Sequence, residues 1–160
     1  MGLDMKKRRI ISVSVLNEHS VLSRISGLFA GRGYNIESLT VAPLQNGDLS
    51  RITIVTSGDE KVFEQIVKQL HKLIPVLNVI EDGDLIEKET ILAKIPIEQS
   101  ISDIDTLCKA YNGGIANANE KYIILTITDN PNRIDCFIKA IKRFKPKEII
   151  RSGVIAIEQH

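Results

Sequence analysis

The sequence predicts an α+β protein made of two ferredoxin-like units, each with the element order βαββαβ. The main observation is that apolar residues change between two-residue and helical spacing in the same order twice along the chain. The second is the length of 160 residues, which suits two small domains. We place the units at residues 1–84 and 85–160. Each is expected to contain an antiparallel sheet covered on one face by two helices.

The first unit opens with a strand at residues 9–16, where aliphatic residues alternate with serines. From Ser20 the apolar spacing becomes helical, and this helix is expected to end at Gly31. Two β-rich runs, residues 36–42 and 49–56, flank an Asn-Gly pair. That pair predicts a hairpin because both residues tolerate positive φ.

A second helix and a last strand complete the first unit. Ser57 and Glu60 have the spacing of a capping box, so we expect Ser57 to begin this helix. Residues 75–81 then predict a strand. The predicted helix has these apolar residues at helical spacing: Val62, Phe63, Ile66, Val67 and Leu70.

The second unit repeats this order after the polar residues 82–84. A strand at residues 88–97 precedes a helix that is expected to end at the Gly113-Gly114 pair. A hairpin is predicted around residues 119–121. Asn130, followed by a proline at the first helical position, has the pattern of a helix start. Residues 147–157 predict the closing strand.

The composition is that of an ordinary globular protein, with 43% hydrophobic and 26% charged residues. No apolar run is long enough to span a membrane, and the basic start lacks the features of a signal peptide. We therefore expect a cytoplasmic protein. Cys108 and Cys136 both lie in apolar helical patterns, which predicts two buried, reduced thiols.

The run Glu18-His19-Ser20 has the residue types of a catalytic triad but not its arrangement, because a triad is assembled from distant positions. We expect an exposed His19 and a helix-capping Ser20. The glycines of "GRGYNI" (residues 31–36) follow a helix instead of opening one, which argues against a dinucleotide site. The cysteines and histidines lack metal-ligand spacing, so no metal site is expected.

RNA binding is the main alternative, because an RNA-recognition motif has the same element order. That motif stacks bases on aromatic residues of its central strands. Here the runs at residues 36–42 and 49–56 contain no aromatic residue. The phenylalanines fall instead on predicted helices or their ends, where we expect them in the core: Phe29, Phe63, Phe137 and Phe144. With a net charge of +1, the chain is not expected to bind nucleic acid.

The loop before the first helix is the better candidate site. A helix N-terminus has free N–H groups that favour a carboxylate. The side-chain carbonyl of Asn17 can accept a hydrogen bond from an ammonium group, and Val21 and Leu22 offer apolar contact. Together these groups suit a free amino acid with an aliphatic side chain.

Four segments carry a resemblance to a known family: "NEHSVLSRISGLFAGRGYNIESLTVAP" (residues 17–43) and residues 49–79, 91–95 and 151–157. They resemble the small, regulatory subunit of acetolactate synthase (acetohydroxyacid synthase), whose first half is an ACT domain. The resemblance implies a non-catalytic protein. Its partner would be the large subunit, which holds thiamine diphosphate, magnesium and FAD. It also implies feedback inhibition by valine, or by leucine or isoleucine.

The resemblance further implies a homodimer whose ACT domains pair side by side, with the effector between them. The loop of one chain and the second strand of its neighbour would supply the effector-binding residues. These are Asn17, Ser20, Val21 and Leu22 from one chain, and Asn35 and Ile36 from the other. Ordinary alternatives are a turn role for Asn35 and core packing for the three apolar residues. Ser20 departs from the family pattern N-x-x-G-x-L, which has glycine at this position.

Two other functions stay open from the residues. A free-standing amino-acid sensor would have the same loop without a catalytic partner. An RNA-binding βαββαβ module is the less favoured one.

Overall fold

The computed structural model describes residues 7–81 and 83–160, and these form two compact units. The first ends at Leu85 and includes Glu158–His160, and the second is Ile86–Ile157. Each unit has one four-stranded antiparallel sheet and two α-helices. The predicted α+β class with two βαββαβ units is confirmed.

The first unit has the sheet order β2-β3-β1-β4, so β2 and β4 are its edge strands. Alternation of apolar residues along the central strands places one side of the sheet against the two helices, and the core lies between them. Phe29 and Phe63 are fully buried in this core, as predicted. The elements are β1 Lys7–Leu16, α1 Val21–Ala30, β2 Asn35–Pro43, β3 Leu49–Gly58, α2 Glu60–Lys72 and β4 Val76–Glu81.

The second unit has the corresponding order β6-β7-β5-β8. Its core contains Phe137 and Phe144, which confirms the predicted place of these aromatic residues. Asn130 caps the last α-helix by accepting a hydrogen bond from Arg133 N at 3.0 Å, with Pro131 next, as predicted. The elements are β5 Leu85–Pro96, α3 Ile101–Ala110, β6 Gly113–Ala118, β7 Tyr122–Asp129, α4 Pro131–Ile141, a 3-10 turn Lys142–Phe144 and β8 Glu148–Glu158.

Two predicted helix boundaries are wrong. Ser57 does not begin α2, because β3 continues to Gly58 and Asp59 caps the helix through Lys61 N at 2.8 Å. The Gly113-Gly114 pair does not end α3, which stops at Ala110, and instead begins β6. A Cβ at Gly113 would lie 2.6 Å from the backbone oxygen of Thr126 on β7, so the close approach of the two strands requires glycine there.

The thiols differ from each other, which corrects a second expectation. Cys108 is buried in the core of the second unit, but Cys136 is exposed. The inward face of α4 consists of Ile134, Phe137 and Ile141, at spacings of three and four, so position 136 lies outside that face. Cys136 was placed inside by its apolar neighbours in the sequence alone.

Two buried carboxylates face each other across the second sheet. Glu89 and Asp129 are register partners on β5 and β7, and both are almost fully buried. Arg151 binds Glu89 through two hydrogen bonds of 2.7 and 2.8 Å, and Arg133 binds Asp129 at 2.5 Å. The pKa of Asp129 is lowered: burial acts to raise it, but the hydrogen bonds from Arg133 and from the backbone outweigh that effect. These pairs tie α4 and the edge strand β8 to the central strands β5 and β7.

Candidate functional site

The loop between β1 and α1 is held by backbone hydrogen bonds on both sides. Leu16 N donates to Pro75 O at 2.8 Å, and Asn17 N donates to Asp48 O at 2.9 Å. The loop is therefore fixed to the α2–β4 connection and to the β2–β3 hairpin. Asn17 itself is exposed, with its side chain available to a ligand.

Ser20 immediately precedes α1, as predicted, but its side chain makes no cap hydrogen bond. Its backbone is left-handed, with φ 67 and ψ 2, whereas a capping residue normally has extended geometry. Sequence reasoning missed this conformation. The glycine that the family pattern has at this position was the available signal, because glycine adopts positive φ without steric cost.

Helix α1 starts without the capping groups that the other helices have. Asp59, Ser100 and Asn130 each accept a backbone N–H at the start of α2, α3 and α4. By contrast, α1 has no side-chain cap and no acidic residue in its first turn. Its first N–H groups and the positive end of its dipole are thus free to receive an anionic group.

The apolar residues predicted for the site have different environments. Val21 is only 5% exposed and packs in the core, which is the ordinary role considered for it. Leu22 is 41% exposed, so its side chain remains available for an external contact. Ile36 is half-buried against the core, next to a bulge in β2 between Ile36 and Ser38. Bulges of this kind redirect neighbouring side chains.

Asn35 is exposed at the start of β2, where its backbone oxygen accepts a hydrogen bond from Thr56 Oγ1 at 2.5 Å. Its position relative to Asn17 follows from the strand directions. Both β1 and β2 are antiparallel to β3 and so run the same way. Asn35 lies level with Arg8 at the start of β1, because both pair with Ser57. Asn17 follows the other end of that strand, about 30 Å away.

One chain therefore does not bring the predicted residues together. Asn17, Ser20, Val21 and Leu22 form one group at the start of α1, and Asn35 and Ile36 form another at the opposite end of the sheet. A single site that uses both groups needs two copies of the chain.

The rest of the described chain offers little support for other chemistry. His19 is exposed, as expected, and its immediate neighbours in the sequence are also loop residues. Residues 7–81 and 83–160 contain no group of three or more His, Cys, Asp and Glu side chains that could hold a metal ion. No helix in these residues is long and apolar enough to cross a membrane.

The first unit, a βαββαβ fold with an open helix start beside its sheet, matches the model of an ACT domain. Comparisons with known proteins identify the family. A family model described as "AHAS small subunit-like ACT domain" matches residues 11–78, and one described as "Small subunit of acetolactate synthase" matches residues 88–160. The chain belongs to the family of acetolactate synthase small subunits.

Individual relatives agree with this assignment over nearly the whole chain. The chain is similar to the acetolactate synthase isozyme 3 small subunit of Escherichia coli (strain K12), with 42% identity over 156 residues, 95% of this chain and 96% of that protein. It is 43% identical to the small subunit of Buchnera aphidicola (Schizaphis graminum strain) over 154 residues, 94% of this chain and 98% of that protein.

A solved structure shows the same fold in this family. The crystal structure of the acetolactate synthase small subunit from Thermotoga maritima has a TM-score of 0.84 and 30% identity, and covers 96% of this chain and 98% of that chain. This chain is accordingly a regulatory subunit and not the catalytic one. A catalytic large subunit is implied as its partner.

Proposed function

We propose that this chain activates the catalytic subunit of acetolactate synthase and makes it sensitive to feedback inhibition by valine, with leucine and isoleucine as related effectors. Residues 1–84 bind the effector and form the dimer, and residues 85–160 complete the subunit. Thiamine diphosphate, magnesium and FAD stay with the catalytic subunit. The complex works in the cytoplasm.

The uncapped start of α1 is the observation that carries the effector site. An amino-acid carboxylate placed there accepts hydrogen bonds from the first N–H groups and meets the positive end of the helix dipole. The Asn17 side chain binds the ammonium group from the loop side. Leu22, which is exposed as the second residue of the helix, contacts the aliphatic side chain.

A second copy of the chain completes this site through the edge strand β2. Two β2 strands related by a two-fold axis run antiparallel, so Asn35 of one copy lies opposite the Pro43 end of the other. That end is level with the β1–α1 loop, since Pro43 pairs with Ser50 and Leu16 pairs with Leu49. The separation of about 30 Å within one chain thus becomes proximity between two chains.

Exposed aliphatic side chains support this pairing. Leu39 and Val41 on β2 are 37% and 46% exposed, although their neighbours on the same sheet face, Ile52 and Ile54, are buried. An edge strand with exposed apolar side chains favours association with another strand. Joining two β2 strands covers these residues.

The effector regulates by preferring one arrangement of the two copies. An amino acid that bridges Asn17 of one chain and Asn35 of the other stabilises the dimer arrangement in which both contacts form. The catalytic subunit then responds to that arrangement. Ser20 places a Cβ where the family pattern has none, so Ser20→Gly is expected to allow closer approach of the carboxylate and tighter valine binding.

Subunit complementation tests the shared site. Asn17→Ala and Asn35→Ala each remove one contact from both sites of a homodimer, so each variant alone should lose the valine-induced rise in melting temperature. A mixed dimer of the two variants has one site with both asparagines intact. Mixing should therefore restore part of the shift.

A matched control uses the other edge strand. Asn78 is an exposed asparagine on β4, and Asn78→Ala should leave the valine response unchanged. Failure of the two variants to complement, with the control intact, would show that the two asparagines do not share an effector.

A further inference from the structure

The second unit has an open cleft of about 430 Å³ at one end of its sheet. Three connections line it: the β5–α3 loop (residues 96–99), the β6–β7 hairpin (residues 120–122) and the segment before β8 (residues 145–147). Its volume lies within the range of small-molecule sites. All three connections belong to the same compact unit.

This cleft occupies the position in the second unit that the β1–α1 loop occupies in the first. In both units the loop before the first helix adjoins the hairpin and the connection to the last strand. The backbone contacts correspond: Ile97 N donates to Lys121 O at 3.0 Å, as Asn17 N donates to Asp48 O at 2.9 Å. The repeated fold therefore produces a second concave loop cluster.

The chemistry of the cleft differs from that of the first loop. Lys121, Lys145 and Lys147 line it, together with Glu98 and Glu120. Within the part of the chain that the structure describes, none of these five residues forms an ion pair, whereas nearby Lys94 pairs with Glu148 at 3.3 Å. The lining therefore has three ammonium groups and two carboxylates, an excess of one positive charge. Such a surface does not suit an aliphatic side chain.

Lys145 ends the 3-10 turn in a conformation that glycine adopts more readily than lysine. It is left-handed, with φ 53 and ψ 59, and its N–H closes the 3-10 turn on Lys142 O at 3.0 Å. Glycine adopts this geometry readily, whereas lysine does so at a steric cost. Strained residues of this kind concentrate at ligand-binding positions. The left-handed residue that ends this turn is thus one of the three lysines that line the cleft.

We propose that the cleft binds a small metabolite with a multiply charged anionic group, either a phosphate monoester or a dicarboxylate. The three lysines hold the anionic oxygens by charge-assisted hydrogen bonds. Tyr122, half-buried in the lining, supports the uncharged part of the ligand. This site is separate from the valine site and does not depend on it.

Titration of the full chain by two-dimensional amide NMR tests the proposal. Inorganic phosphate and succinate serve as separate probes, with sodium chloride adjusted to constant ionic strength. Saturable shifts confined to the amides of residues 97–99, 121–122, 145 and 147 are expected with at least one probe. The probe that saturates identifies the anionic group.

Lys145→Gly provides a variant that folding failure does not confound, because glycine suits the backbone there. It should keep or raise the melting temperature and weaken probe binding by about tenfold, as expected for loss of a charge-assisted hydrogen bond. Lys142→Gln, a charge removal outside the cleft, should change binding by less than about twofold.

Three results would overturn the proposal. The first is an absence of saturation with both probes up to about 50 mM, well above the millimolar affinity that a specific small-anion site provides. The second is reproduction of the same shifts by sodium chloride alone. The third is unchanged binding in Lys145→Gly.

Discussion

Replacing Ser20 with glycine tests the left-handed backbone at the start of α1. Ser20 has φ 67, which costs an L-residue about 1–2 kcal/mol relative to its preferred regions. Glycine removes this cost but increases the entropy of the unfolded chain, which offsets about 0.4–1 kcal/mol. The net expectation is a gain of about 0.8 kcal/mol in the free energy of unfolding. In a unit of this size that raises the melting temperature by about 3–6 °C.

Two further variants separate backbone strain from side-chain loss. Ser20→Ala keeps a Cβ in the same conformation and should give no gain. Ser23→Gly makes the same chemical change inside α1, at an exposed helical position, and should cost about 0.5 kcal/mol. Urea and thermal unfolding without effector measure all three against the unmodified chain.

The result that refutes this reasoning is a Ser20→Gly variant less stable than the unmodified chain. It would mean that the Ser20 side chain stabilises the loop by more than the strain costs. Equal gains for Ser20→Gly and Ser20→Ala would also contradict it, because alanine does not relieve the left-handed conformation.

Two other predictions concern the second unit. Arg151→Met should lower the free energy of unfolding by about 3 kcal/mol, because it leaves Glu89, whose side chain is 3% exposed, without its counterion. Replacing both residues with methionine should cost less than the single change, and a loss below about 0.5 kcal/mol in Arg151→Met would contradict the assignment. Burial, followed by the charge of Asp105, raises the pKa of the Cys108 thiol to about 11, so at pH 8 only exposed Cys136 should react rapidly with a thiol reagent. Native protein should give one fast thiol and unfolded protein two; two fast thiols in the native chain would refute the buried position.

Hydrophobic spacing was enough to predict both βαββαβ units, because the inward residues of strands and helices have different periods. The ends of helices and strands were predicted less accurately where a helix-capping pattern and a strand pattern overlap in the sequence. Ser57 has the spacing of a helix cap, but pairing with Arg8 keeps it in β3, and Asp59 takes the capping role. Cys136 shows the same limit, since an apolar neighbourhood in sequence does not decide which face of α4 a residue occupies.

The candidate site could be predicted only in part, for a geometric reason. The loop at Asn17 and the helix start at Ser20 are local features that the sequence displays directly. The separation of Asn17 from Asn35 depends on strand direction and register, which residue spacing does not reveal. The left-handed Ser20 is a backbone property that its residue type argues against.

The central claim is that this chain activates acetolactate synthase and transmits valine inhibition to it. The most direct measurement is acetolactate formation by the cognate catalytic subunit alone, with this chain, and with this chain plus valine. The account predicts that activity rises when the chain is added and falls again with valine, while the catalytic subunit alone responds little to valine. An unchanged rate on addition of the chain would contradict the regulatory role, and activation without any response to valine, leucine or isoleucine would contradict the effector site.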